Sequence, residues 1–157
     1  MDINSLVSSV IWVDLIGIIL SKYKLLGESL YQWYIQYGLT AVLSDCLIII
    51  LGILLTNLLF PNASLYHFIV IAVIIQLIHD VLFYLLVIKK VRPGENSIID
   101  LFKKYSDAHG YKILVADSIM VISSILIYTF LKKMKPELVF FIGSLGAYAM
   151  TYIVYSK

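Results

Sequence analysis

The chain has 157 residues, the length of one domain, with 61% hydrophobic and 14% charged residues and a mean hydropathy of +0.95. A soluble domain carries about 25% charged residues, so a deficit of this size makes lipid, not water, the main solvent. Twelve Lys and Arg against ten Asp and Glu leave no nucleic-acid footprint, and the single cysteine, Cys46, excludes an internal disulfide and paired-cysteine redox chemistry.

A spanning helix needs about 20 apolar residues, with about 17 as the lower limit. The first apolar run, 6–21, is short. Lys22 and Lys24 follow it instead of a small-residue cleavage site, so it is expected to be an anchor and not a removable signal. Val10 to Leu20 is too uniformly apolar for a surface helix, which favours a span; an interfacial helix is the alternative. The connection 25–36 is expected to form a surface helix. Its Leu30, Trp33 and Tyr34, with Tyr37 just beyond, suit the headgroup level.

Spans 38–60 and 66–88 follow, separated by the tight turn Pro61-Asn62-Ala63-Ser64. The turn is formally a glycosylation sequon, but one this short lies too close to a bilayer for modification. Pro93-Gly94 breaks the chain, and 97–108 reads as an amphipathic surface helix. Ser97 with Asp100 resembles a capping box, Ile98, Ile99, Phe102 and Tyr105 lie opposite Lys103, Lys104 and Asp107, and Gly110 ends the helix. Spans 111–131 and 138–155 complete the chain, joined by a turn at Pro136.

The expected fold is an all-α integral membrane protein, a bundle of about five transmembrane helices with two amphipathic surface helices. Lys22, Lys24, Lys89, Lys90, Arg92, Lys103, Lys104, Lys112 and Lys157 fall on the side of the surface helices, against Lys132, Lys133 and Lys135 opposite. The positive-inside rule then puts the basic side in the cytoplasm and the N-terminus outside, with Lys89, Lys90, Arg92, Lys103 and Lys104 at the membrane surface.

A shift of 72 residues lays the chain on itself: Gly38 on Gly110, Asp45 on Asp117, Glu28 on Asp100 and Trp33 on Tyr105. The repeated unit reads as surface helix, glycine, span with an early Asp, turn and return span. Two spans per unit insert both copies the same way up, as in parallel-repeat transporters. Tyr152 stands where the first copy has Asp80, so the copies have diverged there.

Each of the first four spans carries one aspartate: Asp14, Asp45, Asp80 and Asp117. At about 1.5 Å per residue all four sit at one depth, roughly 10 Å in from the basic side. A carboxylate at a helix centre costs about 2.5–3.5 kcal/mol on insertion scales, so four at one level point to a polar layer inside the bundle. Gln76, Asp80 and Tyr84 share a helical stripe with His79 beside it, His79 being the one basic group in the layer. Ala41, Asp45, Gly52 and Thr56 share another stripe, and Asp117, Ser124 and Tyr128 a third; Gly143, Gly146 and Ala147 form a small-residue packing face.

The segments Ala41-Val42-Leu43-Ser44-Asp45, Ile75 to Tyr84, Pro93-Gly94 and Val115-Ala116-Asp117-Ser118 resemble a family of small multi-pass membrane proteins of large DNA viruses of algae and amoebae. The resemblance implies a viral origin and a place in a host-derived or virion-internal membrane. It carries over no catalytic residue and no cofactor.

Two functions stand at this point. One is a proton or monovalent cation site formed by Asp14, Asp45, Gln76, His79, Asp80 and Asp117. The other is a structural protein of a viral internal membrane. There the aspartates act as interhelical glue and the basic helices contact capsid protein or anionic lipid. A lipid-modifying enzyme with His79 and Asp80 as acid and base lacks a nucleophile motif, and dispersed histidines give no zinc pattern. A homo-oligomer is a further way to complete the site.

Overall fold

The computed structural model describes residues 1–156, apart from the side chains of Ala108 and His109; Lys157, expected on the basic side, lies outside the described residues. The described residues form seven α-helices and no strand. They are α1 (Ile3–Lys22), α2 (Glu28–Tyr37), α3 (Leu39–Leu59), α4 (Leu65–Phe83), α5 (Ser97–His109), α6 (Tyr111–Leu131) and α7 (Pro136–Ile153). Five of them, α1, α3, α4 with its extension, α6 and α7, are long and apolar enough to cross a membrane.

Local chemistry sets the ends. Asp2 caps α1, its carboxylate accepting from Ser5 N at 2.9 Å. Pro136 opens α7 in the first turn, where its missing N–H costs no bond. α4 ends in a wider π turn, Tyr84–Ile88, in which Lys89 N bonds to Tyr84 O at 2.9 Å. The cap of α5 is Asn96, not Ser97: its side chain accepts from Ile98 N and Ile99 N. Asp100 does not close a capping box but reaches back to Gly94 N at 2.9 Å.

Gly38 joins α2 to α3 at φ 51°, ψ −125°, and Gly110 joins α5 to α6 at φ 48°, ψ −122°. This region is open to glycine and strained for other residues. The two turns swing the chain from a short helix directly into a long apolar one with almost the same geometry.

The first apolar run is the hub of the bundle, not an interfacial helix. More than half of its apolar window is buried, 56% against 11% for α4 with its extension. α1 packs most heavily on α7 and α6 and also on α3 and α2. The α1–α7 contact is close because Gly143 and Gly146 face it. Ser8 Oγ donates to Val139 O at 3.2 Å, and Trp12 Nε1 to Ile142 O at 3.1 Å. α1, α3, α4 and α6 close a ring, each packing on its neighbours, with α7 as a buttress outside α1. Ile49, Ile53, Val121 and Ile125 fill its core.

The outer surface is apolar. Leu43, Leu47, Leu51, Leu55 and Leu58 run along one exposed stripe of α3. The two short helices α2 and α5 sit together at the end of the ring where α1 and α4 finish and α3 and α6 begin. At the same end Lys22 Nζ donates to Ser156 O, and Tyr155 stands against Gly38. Asp2 N meets the Tyr128 hydroxyl at the opposite end.

Candidate functional site

Inside the ring, under α2 and α5, lies a cavity of about 1110 Å³. Asp45 of α3, Asp80 of α4 and Asp117 of α6 all line it, with Gln76 and His79 of α4. No lysine or arginine is among the lining residues. Asp14 is not in the wall. It is fully buried behind Tyr34, on the α1 side.

The carboxylates fall into distinct settings. The Tyr34 hydroxyl lies 3.0 Å from Asp14 Oδ1 and 2.9 Å from Asp45 Oδ2. Trp33 Nε1 donates to Asp45 at 3.1 Å, and Cys46 Sγ lies 3.7 Å from Asp14 Oδ2. These contacts tie α2 to α1 and α3. On α4, Gln76 Nε2 donates to Asp80 Oδ1 at 2.8 Å, and His79 Nδ1 lies 3.0 Å from the same oxygen. Asp80 Oδ2 is buried with no hydrogen-bond partner. Asp117 lines the cavity with no hydrogen bond among the described residues.

An aromatic train roofs the cavity. Trp33 packs on Phe102 with centroids 4.8 Å apart, Phe102 meets Phe83 edge-on at 6.2 Å, and His79 stacks on Phe83 at 5.9 Å. The roof thus joins α2, α5 and α4. Burial, with the charges of Asp117 and Asp45 behind it, pushes the Tyr105 phenol up to about 12. Burial first, then Asp45 and Asp14, raises the Tyr34 phenol as well, so it stays protonated at neutral pH.

Trp33 and Tyr34 are therefore not headgroup anchors. Both are 3% exposed and point into the bundle, because their N–H and O–H are the donors the buried carboxylates need. The apolar face of α5 also turns inward: Ile98, Phe102 and Tyr105 line the cavity. Trp33 precedes Asp45 by 12 residues, and Tyr105 precedes Asp117 by the same spacing.

The remaining expected residues spread over other contacts. Gly52 faces Gln76 Oε1, 3.6 Å from where a Cβ would sit. Ser124 is fully buried with its hydroxyl unpartnered, and Ala147 is half-buried on α7. Lys89, Lys90, Arg92 and Lys104 are exposed, while Lys103 is half-buried and donates to Val91 O, holding α5 to the preceding loop. Among the described residues, no three His, Cys, Asp or Glu side chains come close enough together to hold a metal ion.

No protein-family model matches the chain, and no curated protein and no solved structure matches it. The chemistry of the site rests on its own geometry.

Proposed function

We propose that the chain is a multi-pass membrane protein whose carboxylate-lined cavity takes up positive charge, as a proton or a cation, from the side carrying α2 and α5. The observation that carries this is the delivery of Asp45, Asp80 and Asp117 from three different helices to one cavity with no lysine or arginine in its wall. Acidic groups placed in an apolar bundle that outnumber their basic partners, here His79 beside Asp80, mark proton or cation sites. Membrane embedding is supported by five long apolar helices and by the exposed leucine stripe of α3.

The basic surface around Lys89, Lys90, Arg92 and Lys104 favours a cytoplasmic position for this end. The matched turns at Gly38 and Gly110 support descent of the two units from a duplicated ancestor. In the resembled viral family, the membrane would be virion-internal or host-derived.

A second reading, a structural protein of such a membrane, is favoured by one observation. Asp14 and Asp45 are engaged by Tyr34, Trp33 and Cys46 and so hold three helices together. This divides the layer into Asp14 and Asp45, which secure the roof helix, and Asp80 and Asp117, which face the cavity.

The test is proton flux into liposomes loaded with a pH-sensitive dye, wild type beside Asp80→Asn and Asp117→Asn. The expected result is wild-type flux above that of empty liposomes, reduced in both variants. Flux equal to that of empty liposomes from folded wild-type protein, or equal flux in all three proteins, would count for the structural reading.

A further inference from the structure

The cavity is larger than a proton or an alkali ion needs. At about 1110 Å³ it exceeds most small-molecule sites, which run roughly 300–1,000 Å³. Apart from its carboxylates the wall is largely apolar, with Leu30, Ile48, Ile113, Met120 and Ile127 among the lining residues. Val81, Leu85 and Ile119 belong to the lining and are also about half exposed on the outside of the bundle. The apolar wall of the cavity is therefore continuous with the apolar outer surface.

The acceptors suit a ligand with N–H donors. The carboxylates share one cavity without converging as a metal site does. Spread acceptors match a hydrogen-bonding ammonium better than a small dehydrated ion, which draws its oxygens to about 2.0–2.6 Å. Asp45 is already engaged by Trp33 and Tyr34. Asp80 Oδ2 is buried without a partner, and Asp117 has no hydrogen bond among the described residues.

We propose that the cavity binds an amphiphile with a protonated amine head, the ammonium held between Asp80 and Asp117 and the hydrocarbon tail against the apolar walls. This rests on the positive-charge reading above and names its ligand class. An ammonium has three donors and no acceptor, so it meets two carboxylates with no mismatch. Charge-assisted bonds of this kind are roughly twice as strong as neutral ones. A tail in the apolar part accounts for the volume that a bare ion leaves unused.

The test is equilibrium binding of radiolabelled dodecylamine to the whole protein in phosphatidylcholine nanodiscs, with empty nanodiscs as baseline. The expected result is saturable binding above baseline, displaced by unlabelled dodecylamine and not by dodecanol. Asp80→Asn with Asp117→Asn should weaken it by about tenfold or more. Absence of a saturable component in the wild type overturns the proposal, and so does displacement by dodecanol as effective as that by the amine. Neither outcome depends on a variant folding. If the wild type binds no dodecylamine but keeps a proton flux that Asp80→Asn abolishes, only the ligand class falls. If binding and flux are both absent, the positive-charge reading falls with it.

Discussion

The Tyr34 hydroxyl stands between two carboxylates, 3.0 Å from Asp14 Oδ1 and 2.9 Å from Asp45 Oδ2. A phenol has one proton to donate. Both contacts are hydrogen bonds only when a second proton sits on one of the two carboxyls. Three helices, α1, α2 and α3, meet at this one oxygen, which ties the roof to the ring beneath it.

Tyr34→Phe removes that bridge and leaves the ring in place. It should destabilise the protein by about 1–3 kcal/mol, the cost of stranding buried acceptors. The midpoint of SDS-induced unfolding in mixed micelles measures it. An unchanged midpoint would show that Asp14 and Asp45 do not depend on the phenol.

Gly38 and Gly110 share a backbone conformation but not their surroundings. Gly110→Ala should cost about 1–3 kcal/mol from backbone strain alone, with nothing within 4 Å of the new methyl. Gly38→Ala should cost more, because its methyl would sit 2.7 Å from the Tyr155 ring. Adding Tyr155→Ala to Gly38→Ala should remove the excess, read as the difference between the two unfolding midpoints. An equal cost at both glycines would contradict the crowding at Gly38.

The α1–α7 contact separates two glycines of the packing set. Gly143→Ala places a methyl against the Ser8 hydroxyl, which must give up its bond to Val139 O, and overpacking of this kind costs about 1–3 kcal/mol. Gly52→Ala makes an ordinary contact at 3.6 Å with Gln76 and should leave stability nearly unchanged. Thermal unfolding in detergent compares them. A greater loss at Gly52 would mean that α3 and α4 approach more closely than α1 and α7.

Tyr105 contributes to the alkaline limb of the stability profile. Its folded pKa, about 12, lies above the ordinary value of 10.0. A group with a raised pKa binds its proton more tightly in the folded state. Its contribution is complete below pH 10 and is lost as pH rises towards 12. Tyr105→Phe should therefore flatten the loss of stability over that window, measured against the wild type by unfolding midpoints at rising pH. Parallel curves for the two proteins would rule out this contribution.

Orientation is open to direct labelling. Cys46 is buried beside Asp14 and should resist a membrane-impermeant maleimide. Cysteines introduced at Asn62 and at Glu95 should react from opposite sides of sealed vesicles, Glu95 from the basic side. Labelling of both from one side would sink the proposed topology.

Much of this arrangement was legible along the chain. All five apolar runs are helical, and Asp45, Asp80 and Asp117, expected at one depth, do line one cavity. Depth follows from counting residues, because the rise per residue of a helix is constant. The place of α1 was not legible. Its apolar residues are spread almost evenly around the helix, and a lipid-facing surface and a packed interior select the same side chains. The inward turn of Trp33 and Tyr34 was hidden for a related reason. An aromatic ring with a polar tip suits a headgroup layer and a buried carboxylate equally well, and only the neighbour decides which it meets.

The amino-acid sequence alone determined the strongly apolar character of the chain, the number and length of the long helices, and the glycine turns that lead into α3 and α6. Those are properties of composition and of position along an axis. The tertiary structure alone decided which carboxylate meets which partner: Asp14 behind Tyr34, Asp45 under Trp33, Asp80 with Gln76 and His79, and Asp117 facing the cavity without a hydrogen bond among the described residues. Partners are set by rotation about the helix axis and by which helices pack together. Both depend on side chains brought from distant parts of the chain, and no local spacing encodes them.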